Sequence, residues 1–268
     1  MSVQSFIPQI WEARLLANFH SRSVADVITT KPTEVIGNTV KFNRIGAVTV
    51  KDYMNSVTFD DVNTSPIDLV LNQKKYFAIK LNDVDKIQAA GDILDAFVAD
   101  ASASVQEVID AYVLSLYTDA QHAIGDDTTP IALDKANVYD YIVDLGTKLS
   151  TAKVPMANRF VVVNAQVLGL LSKDSRFTAN PTVLENGVVE GQKINGMQVV
   201  VSENIANVSG KYKILAVHQS AIGYEKQIEN IEAIRLESDF ADAVRGLFVY
   251  GATVLRPEAM AVLTATIA

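Results

Sequence analysis

Apolar and polar residues alternate along "IDLVLNQKKYFAIKL", Ile67 to Leu81. Ile67, Leu69, Leu71, Phe77, Ile79 and Leu81 share one side of an extended chain, and Asp68, Asn72, Lys74 and Lys80 share the other. A period of two predicts a half-buried strand. At ~3.3 Å per residue this stretch would reach about 50 Å, against about 5–6 residues for an ordinary strand. "VKFNRIGAVTVKDY" (Val40–Tyr53) alternates in the same way, and Met54–Pro66 between the two runs is polar and turn-rich. The pattern predicts a long hairpin around a distal tip. A two-stranded ribbon is marginal alone in water, so it must lie against something else.

From Asn82 the period changes. Ile87, Ala90, Leu94, Phe97, Ala101, Val105, Val108, Tyr112 and Leu116 recur in steps of three and four, interrupted only by Gly91. This predicts a helix from Asn82 to Ala120. Asn82 is suited to cap it, and Asp83 and Asp85 suit the positive end of its dipole. A continuous helix of that length would span ~57 Å, whereas a chain of this size packed as one globule has a diameter of about 48 Å. Hairpin and helix together predict a flat or elongated molecule.

Beyond the loop Gly125–Pro130 helices and strands mix. Asp134 is expected to cap a helix carrying Val138, Ile142, Leu145 and Leu149. "RFVVVN" (Arg159–Asn164) reads as a central strand, followed by a short helix in "AQVLGLLSKD". Asn195-Gly196 between apolar flanks is a strong hairpin signal. "KYKILAVH", "AIGYEK" and "IEAIRLE" read as three further strands, and "GLFVYGATVLRPEAMAVLTA" as two strands with Pro257 between them. At the other end, an apolar start (Phe6, Ile7, Ile10, Trp11) suggests an arm with a short helix around Pro8 to Phe19.

Composition narrows the function classes. The chain has 268 residues, 49% hydrophobic and 20% charged, which suits a globular core. No apolar run is long enough to cross a bilayer and no basic-then-apolar segment opens the chain, so a cytoplasmic origin is expected. Without cysteine there is no disulfide, thiol nucleophile or cysteine metal site. A net charge of −8 with dispersed basic residues, Lys74-Lys75 being the one adjacent pair, disfavours tight nucleic-acid binding. It suits a protein that sits beside nucleic acid without adhering to it.

Candidate chemistry is sparse. His20, His122 and His218 are not spaced as metal ligands, and no phosphate-binding glycine loop or nucleophile elbow occurs. His218 reads as a satisfied histidine at a strand end. Asp60-Asp61 and Asp126-Asp127 read as solvated turns, because adjacent strand residues face opposite ways. Gly187–Gly191 is glycine-spaced but lies in a hairpin context. The strand–helix unit turning at Asn164-Ala165 resembles half a nucleotide-binding unit without its glycine. The residues therefore predict no catalytic, cofactor-binding or metal-binding residue and no cofactor.

The order of elements is the specific feature. "RIGAVTVKDYMN" with "LVLNQKKYFAIKLNDVDKIQA", then "VVEGQKINGMQVVVSEN", then "DFADAVRGLFVYGATVLRPEA" (Asp239–Ala259) resembles the major capsid protein of tailed bacteriophages, the Hong Kong 97-type shell fold, over nearly the whole chain. The resemblance implies an α+β fold with an N-terminal arm (1–34), an extended β-hairpin loop (35–81), a spine helix of the peripheral domain (82–124), an axial domain (125–222) and returning peripheral strands (223–268). It implies a structural, non-enzymatic protein that self-assembles through pentamers and hexamers into an icosahedral shell enclosing double-stranded phage DNA, located in the virion and assembled in the host bacterial cytoplasm. A portal is an implied partner, and with Met1 only a few residues before the arm, either a separate scaffolding protein is implied or assembly proceeds without one. DNA would lie adjacent without being tightly bound. No lysine–asparagine crosslinking pair matches.

Flat blocks that bind copies of themselves through closing heterologous contacts suit such a shell. An exposed ribbon would gain stability by lying on a neighbouring subunit. Subunit contacts are accordingly expected at Trp11, Asp60, Asp61, Ile67, Leu69, Leu71, Lys74, Lys75, Arg256 and Glu258. Two other readings stay open: an encapsulin-like bacterial compartment with the same fold, and a soluble α/β enzyme with a ligand pocket at Asn164.

Overall fold

A computed structural model of the chain describes residues 23–32, 34–36, 39–45, 52, 64–82, 92–178, 193–236 and 241–267. The expected arm helix at Pro8–Phe19, the tip residues 54–63, the first turns of the long helix and Gly187–Gly191 lie outside the described residues. In chain order the strands are β1 (Glu34–Ile36), β2 (Thr39–Ile45), β3 (Thr64–Val70), β4 (Gln73–Asn82), β5 (His122–Ile124), β6 (Ile131–Leu133), β7 (Arg159–Val163), β8 (Lys193–Ile194), β9 (Met197–Val201), β10 (Asn207–Val208), β11 (Lys211–His218), β12 (Ile222–Arg235), β13 (Ala241–Val254) and β14 (Met260–Ile267). The helices are α1 (Val24–Ile28), α2 (Asp92–Ser115), α3 (Val138–Thr151), α4 (Ala165–Ser172) and α5 (Ser175–Thr178).

The strands form separate sheets. β1-β2-β3 is an antiparallel hairpin sheet, with Thr39 opposite Val70 at its base and Ile45 opposite Thr64. β12-β13-β4 is a second antiparallel sheet, and β5-β14-β11-β7-β9-β8 is the spine of a larger mixed one. This corrects the single long strand at Ile67–Leu81. The chain leaves β3 at Leu71-Asn72 and β4 then pairs with β13 in another sheet. "AIGYEK" and "IEAIRLE" likewise belong to one continuous strand, β12, with a register shift between Ile228 and Asn230.

Most local expectations hold. Val138, Ile142, Leu145 and Leu149 are all buried on one side of α3. Its start differs from the expected cap. The Asp134 carboxylate accepts from the amides of Ala136 and Asn137 one turn earlier, and Asn137 occupies the cap position. β7 is buried at every residue, with β11 antiparallel on one side and β9 parallel on the other. Asn195 and Gly196 turn β8 into β9 at φ 48° and 79°, the left-handed pair that a two-residue hairpin needs. The long helix is described as α2, followed by a single 3₁₀ turn at Leu116–Asp119.

One main core joins the two larger sheets. Ile109, Val113 and Leu114 of α2 meet Tyr224, Phe248 and Tyr250 of the β12-β13-β4 sheet, and the same cluster continues through α3 into β7, β11 and β14. Tyr112 meets Tyr250 edge-on at 5.5 Å and Phe77 lies 5.7 Å from Phe248. Three single 3₁₀ turns carry the chain between these sheets: Leu116–Asp119, Gln219–Ala221 and Pro257–Ala259. Backbone bonds tie them together. The amides of Leu255 and Arg256 both donate to Ala221 O, and Gln121 N donates to Pro257 O.

Candidate assembly surfaces

The hairpin is seated on the chain's own second sheet. Val40, Phe42, Leu69 and Leu71 bury against Val249, with Ile67, Leu247 and Leu255 packed around them. Two glycines make the seat. The Phe42 ring would lie 2.6 Å from a Cβ on Gly223, and the Val70 carbonyl oxygen 2.7 Å from a Cβ on Gly251. Glycine inside a strand often marks such a close approach. Leu69 and Leu71, expected on a neighbouring subunit, are each 2% exposed within their own chain, and Ile67 is half-buried on the same cluster. The alternation is therefore explained at this base by intramolecular packing.

Beyond the seat the character changes. Lys74, Lys75 and Tyr76 are exposed in succession, with Tyr76 at 79%. Among the described residues β4 is an edge strand, and Lys74 lies opposite Val249 while Tyr76 lies opposite Leu247. Tyr76 was not among the expected contacts. The signal that could have found it is an aromatic residue at a polar parity between lysines.

Arg256 and Glu258 fall elsewhere, in the 3₁₀ crossing Pro257–Ala259, where Arg256 is exposed and Glu258 half-buried. Trp11, Asp60 and Asp61 lie outside the described residues.

The short helix α1 is fastened to α2 and β12. The buried Asp110 carboxylate of α2 accepts from Ser23 Oγ at 2.8 Å, Ala25 N at 2.9 Å and Val24 N at 3.1 Å, where α1 begins. Burial raises the Asp110 carboxyl above the usual carboxylate range, opposed by those three bonds. Asp26 adds an ion pair to Lys226 of β12 at 2.8 Å.

The candidates for chemistry resolve into structure. His218 Nδ1 accepts from Ser220 N and is 2.8 Å from Ser220 Oγ, capping the 3₁₀ turn that follows β11. Burial, then the charge of Arg159, holds its imidazole below the ordinary value. Asp126 accepts from Thr128 N and Thr129 N in a tight turn, while Asp127 pairs with the buried Lys213 at 2.6 Å. At the Asn164 turn, Asn164 Oδ1 accepts from Val167 N and the Glu203 carboxylate accepts from Ala165 N at 2.7 Å. The helix end where the enzyme reading placed a ligand is thus filled by the chain's own carboxylate.

A cleft of about 590 Å³ lies between β5 and α3, lined by His122, Ala123, Ile124, Asp144, Thr147, Lys148 and Thr151. Thr147 and Thr151 already donate their hydroxyls to the Val143 and Thr147 carbonyls. Among the described residues no group of three His, Asp or Glu side chains could hold a metal ion.

The phage capsid protein family model matches residues 68–263, well over half the chain. No curated protein is significantly similar in sequence. Among solved structures, one from Mycobacterium phage Che8 is 27% identical over 90% of this chain and 91% of its own, with a TM-score of 0.72. The capsid of Cyanophage P-SCSP1u is 15% identical, covering 92% of this chain and 89% of its own, at a TM-score of 0.67. A virus-like particle from Pyrococcus furiosus is 13% identical over 97% and 100%, at 0.60. The last two likenesses concern fold alone. With the Hong Kong 97-type fold and this family match together, the chain belongs to the phage capsid protein family and is a structural capsid protein.

Proposed function

We propose that the chain assembles through pentamers and hexamers of itself into an icosahedral shell around double-stranded phage DNA. A portal and a separate scaffolding protein are its partners, and assembly takes place in the host cytoplasm. Residues 1–34 act as the arm, 35–81 as the extended loop, 82–124 and 223–268 as the peripheral domain, and 125–222 as the axial domain. The net charge of −8 supports a lining that does not adhere to DNA. The protein has no catalytic role in this reading. The compartment alternative draws support only from the shared fold.

The observation that carries the proposal is the hairpin, anchored at its base on its own sheet while residues 46–63 of the sequence must still be accommodated between its strands. The buried Leu69 and Leu71 then serve assembly by fixing the hairpin's direction. Trp11, Asp60, Asp61, Ile67, Lys74, Lys75, Arg256 and Glu258 remain proposed subunit contacts.

Thr64–Pro66 belong to the β2–β3 ladder, so the informative deletion is Met54–Asn63. Negative-stain microscopy of the intact chain is expected to show shells, and the deleted chain to fold without forming them. Small compact particles under every condition for the intact chain would contradict the shell reading. An unfolded deletion variant would instead place the tip in the monomer's core.

A further inference from the structure

Asn195-Gly196 turns the β8–β9 hairpin, and it is also the kind of dipeptide at which an asparagine amide is chemically weakest. The backbone nitrogen after an asparagine can attack the side-chain Cγ, and a glycine there has no Cβ to hinder the approach. In this chain the new bond would join Gly196 N to Asn195 Cγ and close a cyclic imide. The Cγ–Nδ2 bond breaks, and the Gly196 amide proton departs with Nδ2 as ammonia. Water then opens the imide at either carbonyl, leaving aspartate or isoaspartate. Water is the co-reactant, and nothing is oxidised or reduced.

The fold holds this amide against α3. Asn195 Nδ2 donates to Val143 O at 2.9 Å and to Thr147 Oγ1 at 3.4 Å. The side chain lies across the buried Gly146, where a Cβ would meet Asn195 Nδ2 at 2.7 Å and its Cβ and Cγ at 3.1 Å. Glycine is a poorer residue than alanine inside a helix, and here it leaves the room that Asn195 fills. Ring closure must bring the backbone and side chain of Asn195 towards one another. A side chain bonded to α3 and a backbone held at φ 48° in a two-residue turn both oppose that movement.

The product does not fit the same seat. A carboxylate has no hydrogen to donate, so an oxygen would face the Val143 carbonyl where Nδ2 now donates. Isoaspartate would in addition lengthen the backbone of a tight turn.

We propose that Asn195 is a deamidation site kept closed by α3, and that its conversion releases the β8–β9 hairpin from that helix. The pair that turns the hairpin then also limits its chemical lifetime. This chemistry follows from the fold alone and is independent of the shell reading.

Peptide mapping by mass spectrometry tests the protection in the full chain. The sequence holds one other Asn-Gly pair, Asn186-Gly187, and tryptic cleavage after Lys193 puts the two in separate peptides. In guanidinium chloride both pairs are expected to convert at similar rates, which calibrates the chemistry. In the native chain at mildly alkaline pH, Asn195 is expected to convert at least about tenfold more slowly than in denaturant, a factor that one hydrogen bond of ordinary worth accounts for. Equal native and unfolded rates at Asn195 would overturn the protection. Gly146→Ala suits the helix but fills the seat, so its native rate at Asn195 should rise towards the unfolded one. A folded Gly146→Ala chain with the parent's slow rate would sink the role given to α3.

Asn195→Asp installs the product and tests the release. Asp-Gly favours the same turn, so the change falls on the contact with α3. Amide hydrogens of β8 and β9 near the turn are expected to exchange at least about tenfold faster than in the parent, while those of β11 and β14 keep their protection. Parent-like exchange in the hairpin would show that deamidation leaves it seated, and the proposed release fails.

Discussion

Gly251→Ala tests whether the hairpin seat is as tight as its geometry implies. Ordinarily this substitution helps a protein. Removing glycine's freedom in the unfolded chain stabilises by about 0.4–1 kcal/mol where the native backbone suits alanine. At Gly251, however, the new Cβ would sit 2.7 Å from the Val70 carbonyl oxygen and 3.3 Å from Leu71 Cα. Both obstacles are backbone, so no side chain can rotate away. The β3 end must lift, loosening Leu69 and Leu71 from Val249, and inserting atoms into a packed site costs typically about 1–3 kcal/mol. The cost exceeds the gain, and a net loss of about 1–2 kcal/mol is expected. For a chain of this length that corresponds to roughly 2–4 °C per kcal/mol in Tm. Gly169→Ala is the matched control. It lies inside α4 with nothing within 4 Å of an added Cβ, so helix propensity alone predicts stabilisation of about 0.5–1 kcal/mol. Urea denaturation of both variants reads the two signs. If Gly251→Ala is neutral or stabilising while Gly169→Ala behaves as expected, the close approach of hairpin and sheet is refuted.

Two further perturbations probe the frame around the crossings. Arg159 is 1% exposed and donates to Pro155 O at 2.8 Å, Ser150 Oγ at 3.0 Å, Gly146 O at 3.3 Å and Val154 O, gathering the carbonyls at the end of α3. Arg159→Met strands those acceptors and should destabilise by about 2–4 kcal/mol, with Arg159→Lys intermediate. A methionine variant within about 0.5 kcal/mol of the parent in urea would refute this role. His218 has a lowered native pKa, from burial first and the Arg159 charge second, so below its ordinary value the unfolded chain binds more protons than the native one. Its contribution is complete above about pH 6.5 and is lost as pH falls towards the native value, with a slope of at most about 1.4 kcal/mol per pH unit. His218→Gln should flatten the stability profile below pH 6.5 relative to the parent, and parallel profiles would show that His218 is not the responsible group.

What the chain's pattern revealed and what it concealed follow from the range of each signal. The helical steps at Val138, Ile142, Leu145 and Leu149 and the paired turn at Asn195-Gly196 are local, and both are found where expected. The break at Leu71-Asn72 is invisible to a period of two. Leu71 and Phe77 keep the same parity on either side of it, although the strands join different sheets. In β12 the reverse occurs. The register shift between Ile228 and Asn230 inserts one residue and moves the alternation by one, so a single strand reads as two. The family order was legible, because it depends on sequence order.

The glycines show what the alternation leaves unspecified at the base of the hairpin. Alternation reports that one side of a strand is covered and carries no information on which chain covers it. The missing constraint lies over 150 positions away, in Gly223 and Gly251, whose lack of a side chain matters only once Phe42 and Val70 approach them. The base of the hairpin is therefore specified by a pair of distant vacancies, and its burial leaves Leu69 and Leu71 with no apolar face to offer a neighbour. Any specificity between copies must then come from what this seat leaves outside it. Lys74, Lys75 and Tyr76 are exposed on the edge of β4 that no strand pairs among the described residues. The apolar residues up to Leu71 thus fix the base of the hairpin within its own chain, and the exposed residues after it take no part in that packing.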